Sequence, residues 1–361
     1  MSGYREACAA IAAGDAAELR AALRRTPGAA QHWKPIVDAA FAGRAHLVQL
    51  LLDAGADPNI VSGTASRHTP LTRITQHHKT IPRHAGHLDT IETLLAAGAD
   101  PNLAAGPHDF EPLAYATVAP ASDFVEALRQ GGTAIGIHLA AALLDQDLIE
   151  EKLGDGSVVD TPDRRGRSPL HYVAFSGLWK TSGSATAIGC AEVLLDAGAA
   201  IDNAEEIDEG SEVFHGTPLW RTLSSQGQYA LAEYLLERGA DPAPAVFTVT
   251  YDGEVEGCEL LDRYDADWEQ TFHGRTPLMD LMYFRKPAGS RWLIARGVDV
   301  NAVDPRGRTA LHFAAMQGVR PDYVTALIEA GADIEAKDAD GRTPLDYARH
   351  KNRTKLVDLL L

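Results

Sequence analysis

Residues Arg308–Glu335, RTALHFAAMQGVRPDYVTALIEAGADIE, decide how the rest of the chain is read. Thr309 stands where a helix begins, its hydroxyl placed to satisfy an otherwise unpaired backbone N–H. Leu311, Ala314 and Ala315 then set an apolar stripe at helical spacing, and Gly318 breaks the run. A second stretch carries Val324, Leu327 and Ile328 until Gly331, a residue suited to the left-handed position that ends helices. Polar turn residues lead from Asp333 to a fresh start at GRTPLDYA, residues 341–348. Two short helices cannot bury their apolar faces alone, so a copy must stack on each side.

The copies are present. Thr-Pro-Leu recurs at Thr69, Thr217, Thr276 and Thr343, with Ser168-Pro169-Leu170-His171 as a variant. Gly-Ala-Asp recurs at Gly55, Gly98, Gly239 and Gly331, with variants at Gly198 and Gly297. On these motifs and their offsets the chain resembles the ankyrin-repeat family over almost its whole length. The resemblance implies an all-α solenoid that binds other proteins through its turn tips and the inner face of each first helix.

Spacing shows where the array departs from regularity. From Thr309 to Gly331 is 22 residues, and from Gly331 to Thr343 is 12. Lys34-Pro35-Ile36-Val37 has lost the motif letters, yet Gly55 follows Lys34 by 21 residues, so the register is kept. Residues 1–33 read as an N-terminal cap, 34–342 as internal repeats and 343–361 as a C-terminal cap of one continuous domain. Insertions fall near residues 76–85, 178–187, 202–216 and 243–274, and the usual projecting turn is missing between Gly131 and Ile135. The Gly239-to-Thr276 interval is 37 residues, an excess of 25. Within it Phe247–Tyr251 alternates apolar and polar residues before Asp252-Gly253, which predicts an inserted β-hairpin. The expected fold is therefore all-α, an ankyrin-type solenoid of about ten helix pairs with one added hairpin.

Composition narrows the chemistry. The 361 residues are 45% apolar with a net charge of −17, which works against non-specific nucleic-acid binding, since that needs cationic side chains to displace counterions. No apolar run reaches the roughly 20 residues that span a bilayer. The N-terminal stretch lacks a secretory h-region, and Cys8, Cys190 and Cys258 are odd in number and far apart. Both point to a reducing, cytoplasmic setting. No phosphate loop, nucleophile elbow, H-E-x-x-H or C-x-x-C occurs, so neither catalysis nor a cofactor is expected. A lesser alternative is a metal-dependent enzyme built on His77, His78 and His84. His171 and His312, fourth in their motifs, are expected to make local hydrogen bonds.

Binding residues follow from register. The seventh and eighth residues after each motif's Thr should face the concave groove: Phe41, His77, Phe175, Ser176, Ser225, Tyr283, Phe284, Met316 and Gln317. Phe284 is expected to be filler, because its unit is one residue short. Turn-tip candidates are Arg67, Arg164, Arg165, Phe214, His215, Tyr251, Trp268, Phe272, Arg306 and Asp340. Aromatic, Met and Arg side chains are the usual anchors of protein interfaces. The expected function is recognition of a protein partner by an adaptor or an inhibitor or immunity-type protein, with a host-directed bacterial effector as the alternative. The acidic turns 202–216 and 243–274 would suit a basic partner.

Overall fold

The computed structural model describes residues 3–76, 84–119, 121–208, 213–253 and 255–361. The chain divides into two compact units, residues 1–205 and 206–361. Each is a row of short antiparallel helix pairs, six pairs in the first unit and five in the second among the described residues.

The repeat that opened the sequence reading shows why the helices start and stop where they do. Thr309 is extended and caps the helix Ala310–Gln317 in a reciprocal box with His312. Gly318 ends that helix in the left-handed region (φ 71°), and Gly331 follows the helix Pro321–Glu329 at φ 93°. Phe313, Ala314, Val324 and Leu327 are fully buried. Full burial of a leucine stabilises by about 2 kcal/mol, so the stacked faces outweigh the weak propensity of such short helices. Elsewhere proline occupies the first helical turn after Thr69, Ser168, Thr217, Thr276 and Thr343, where its missing N–H is no loss.

Successive repeats are tied by one recurring side chain, four residues after the Gly of Gly-Ala-Asp. Asn59 donates to Gly98 O and accepts from Asp100 N; Asn301 does the same with Gly331 O and Asp333 N. Asn102 accepts from Ala134 N, and Asp160 from Ala200 N.

The inserted hairpin exists, but not where alternation placed it. Strands β1 (Glu205–Asp208) and β2 (Val213–Gly216) pair in the acidic turn before Thr217. Phe247–Tyr251 is instead helical, part of Val246–Asp252, and Gly253 closes that helix at φ 72° rather than forming a hairpin turn. Five alternating residues are too few to separate the two periods. Val246, Val249 and Thr250 are buried at helical spacing, and the Thr250 hydroxyl donates back to Val246 O.

A second helix, Val255–Asp262, completes the pair, so the long interval holds a whole repeat whose letters have been lost. Asp265, at φ 57°, takes the place of the usual glycine. Glu269 stands four residues later and accepts from Asp299 N, as Asn301 does in its own repeat. This pair accounts for eleven where about ten were expected. Near residues 178–187 the extra length forms the short helix Trp179–Ser182. The segment near 76–85 lies largely outside the described residues.

Candidate functional site

Unit 2 brings together aromatic residues that the sequence presents as separate candidates. A cavity of about 700 Å³ has Phe214, Phe247, Tyr251, Phe272, Tyr283 and Phe284 on its wall. Phe272 sits at the base of a tight turn in which it exchanges two backbone hydrogen bonds with Arg275 across His273 (φ 52°) and Gly274 (φ 70°). Two positive φ values match the twist of a two-residue hairpin turn. The Phe272 ring lies 5.6 Å from Phe214 and 5.4 Å from Phe247, and Phe214 lies 5.0 Å from Trp220. Trp220 Nε1 donates to Thr248 Oγ1 at 2.7 Å, which fixes the floor across two neighbouring repeats.

The rim is the exposed part. Tyr251, Tyr283 and Phe284 are 38%, 37% and 48% exposed, although Phe284 was expected to be filler. Phe284 packs edge-on to both tyrosines, at 5.8 Å and 4.9 Å. Arg275 is ion-paired with the buried Asp280, and its guanidinium lies 4.5 Å over the Tyr283 ring. Among the described residues the cavity wall thus carries one cation and one anion already paired, with Ser224 Oγ buried and unpartnered beside them. Such a surface suits an apolar or aromatic segment held by ring faces and a few hydrogen bonds.

Other candidates fall elsewhere. His215 is exposed on β2, Arg306 and Asp340 are exposed at turn tips, and Met316 and Gln317 are half-buried. Phe41 is half-buried, with the Arg73 guanidinium 3.8 Å from its ring centroid. Three expectations need correction. Phe175 does not face a groove: it is 5% exposed and packs 5.0 Å from Phe110. Trp268 is not a turn tip: it is 6% exposed, donates to Asp262 and lies 4.6 Å from Trp292. Both belong to the stacking core. Ser176 is likewise buried, donating to Ala142 O.

The acids of the long turns have structural work as well. Asp262 accepts from Trp268 and Arg296, and Glu205 is buried. Asp338 accepts from Asp340 N, Arg342 N and the Tyr347 hydroxyl. Burial alone would raise the Asp304 and Asp338 carboxyls, but hydrogen bonds and the neighbouring Arg308 and Arg342 hold both below the usual range. The pattern behind this is Asp-x-x-Gly-Arg, also found at Asp163–Arg167.

The histidines near the motif starts are structural. His312 Nδ1 accepts from Thr309 N at 3.1 Å, which leaves Nε2–H to reach Arg342 O in the next repeat. Burial pushes its pKa down. His171 makes the same cap on Ser168. His77 and His78 lie outside the described residues, and His84 caps the helix Ala85–Ala96. Among the described residues no group of three or more His, Cys, Asp or Glu is placed to hold a metal. Burial raises the thiol of Cys8 to about 11 and of Cys190 to about 12, so neither is a ready nucleophile. No helix among the described residues is long and apolar enough to cross a membrane.

Sequence reasoning missed Trp220, Phe247 and Arg275 as wall residues. The signal available was the 25-residue excess, close to a repeat in length, inside which Val246, Val249 and Thr250 keep helical spacing.

Family models match the chain within both units. Residues 282–361 match the family model "Ankyrin repeats (3 copies)", and residues 32–63 match "Ankyrin repeat". A curated relative is the human "Ankyrin repeat and SOCS box protein 3", 29% identical over 120 residues. That match covers 33% of this chain and 20% of the relative, so the chain spans about a fifth of the length of the curated relative it matches. A solved structure, that of the human ASB11 ankyrin repeat domain, aligns with a TM-score of 0.49 at 23% identity, over 63% of this chain and 98% of that one. Recurring helix pairs run through both units, and each unit contains a stretch that matches the ankyrin repeat, residues 32–63 in the first and 282–361 in the second.

Proposed function

We propose that the chain is a non-catalytic recognition module that holds a segment of a partner protein in the aromatic cavity of unit 2. Ankyrin repeats generally mediate protein–protein interaction, and the observation that carries the specific reading is the exposed trio Tyr251, Tyr283 and Phe284. These side chains come from two different repeats yet meet on one wall, behind which Phe214, Trp220 and Phe272 are packed. Large rings held in place before binding lose little freedom on binding, so more of their buried area appears as affinity. The inserted segment would be apolar or aromatic. Basic flanks on it would meet exposed acids of the same unit such as Glu206, Glu256 and Glu259. A preformed cavity of this kind serves an adaptor or an inhibitor equally well.

The test uses a photo-reactive amino acid at position 284. Irradiation in source cells should yield one dominant protein adduct, and its crosslinked peptide should be apolar or aromatic. Adducts spread over many proteins, or none at all while a position 340 probe gives one, would count against the cavity.

A further inference from the structure

Unit 1 contains a second concavity of different character, about 770 Å³, along its projecting turns. Turns project at residues 62–68, 104–110 and 163–167, but the repeat between the last two has none. There the helix Ile137–Ala142 begins directly after Gly136. Arg167 bridges the gap. It is 1% exposed, its guanidinium lies 4.1 Å over Phe110, and it donates to Asp163 and, at 2.7 Å, to His108 O. The turn at 163–167 is thereby fastened to the turn two repeats away. That turn is fastened in its own place: Gly106 N donates to Arg67 O, and the Tyr115 hydroxyl donates to Ala105 O.

On this braced frame stand Arg67, Arg164 and Arg165, all exposed and all on the wall of the notch. None of the three is ion-paired among the described residues. Asp163, the carboxylate beside Arg164, is already engaged by Arg167, the Tyr172 hydroxyl and two backbone N–H groups. Arg67 is held at φ 46°, a left-handed conformation that disfavours side chains and that the surrounding turn must enforce. Among the described residues of the wall, Asp109 alone carries negative charge. Three unpaired guanidiniums in one notch are conspicuous on a chain of net charge −17.

We propose that this notch docks an extended acidic segment of a partner protein, with its carboxylates gripped by Arg67, Arg164 and Arg165. Guanidinium forks match carboxylates in paired hydrogen bonds, and a notch across three turns suits side chains presented every second residue. Val61 and Leu103 supply apolar ground between the arginines. A nucleic acid is the poorer fit, because a long polyanion would feel the negative field of the whole chain.

The test is fluorescence anisotropy on the full chain, with a labelled decapeptide of alternating Glu and Ala as probe at low salt. The expected result is saturable binding, weakened at least about tenfold by the Arg164→Glu/Arg165→Glu double variant and unchanged by Arg349→Ala, an exposed arginine of unit 2. Melting curves of the double variant should match those of the parent chain, since both side chains are exposed. Undiminished binding by that variant, or no saturable binding by the parent chain, would overturn the proposal. So would a single-stranded oligothymidylate of equal charge that binds as tightly as the peptide.

Discussion

Two repeats of unit 2 stand in contrast. The repeat from Thr309 to Gly331 keeps nearly every motif residue, whereas the one from Val246 to Asp265 keeps almost none. Both form a helix pair whose first helix ends at a left-handed glycine, with a positive-φ turn after the second and a polar clamp onto the following repeat. The repeat geometry therefore needs buried faces at helical spacing, one residue able to hold positive φ, and one acceptor for the next backbone. The letters are one solution among several. The degenerate repeat is also the one that supplies Phe247, Thr248, Thr250 and Tyr251 to the aromatic cavity, while the regular repeat supplies none of its wall. Loss of the motif and gain of the aromatic cavity wall fall on the same residues.

The sharpest way to break this equivalence is core truncation. Leu261→Ala in the degenerate repeat and Leu327→Ala in the regular one each remove a fully buried leucine. Each should destabilise unit 2 by about 2–5 kcal/mol in denaturant titrations. A negligible effect of Leu261→Ala would return residues 246–262 to the status of a surface insertion. Clamp removal is a milder probe. Glu269→Ala and Asn301→Ala should each lower stability by about 1 kcal/mol, because each leaves a backbone N–H of the next turn without its acceptor.

Much of the fold was legible in the sequence, for a physical reason. Caps, left-handed glycines and apolar stripes are local requirements, so Thr309, Gly318, Gly331 and Leu327 announce themselves. Residues 246–262 did not, since Phe247–Tyr251 satisfies the strand and helix periods together and only burial on the neighbouring repeat decides between them. The site was legible residue by residue and not as an assembly. Tyr251, Phe272, Tyr283 and Phe214 all stood out by type and position, but their meeting depends on the hidden helix pair. Arg67, Arg164 and Arg165 stood out too, and the missing turn at 131–135 was visible. That the gap lets Arg167 draw distant turns together follows only from three-dimensional packing.

Smaller effects sharpen the contrast further. Asp265→Gly should stabilise unit 2 by about 0.5–1 kcal/mol in the same titrations, by relieving a side chain held at positive φ. The smallest effect is with pH, and it belongs to the regular repeat alone. Burial places the folded His312 below its ordinary value of 6.5, so the unfolded chain takes up the proton first. Its stabilising contribution is complete above that value and is lost as pH falls through the folded one. Between pH 7.5 and 5.5 Asp304 and Asp338 stay ionised, and His312→Asn should flatten the acid-side slope of unit 2 stability.

The most direct test of the recognition account is the affinity of the protein crosslinked at position 284. It should be measured by calorimetry against the parent chain and against the Tyr251→Ala/Tyr283→Ala/Phe284→Ala variant. Loss of these three exposed rings should weaken binding by at least about 2 kcal/mol, while the melting temperature changes little. An unchanged affinity in a variant that melts like the parent would contradict the account.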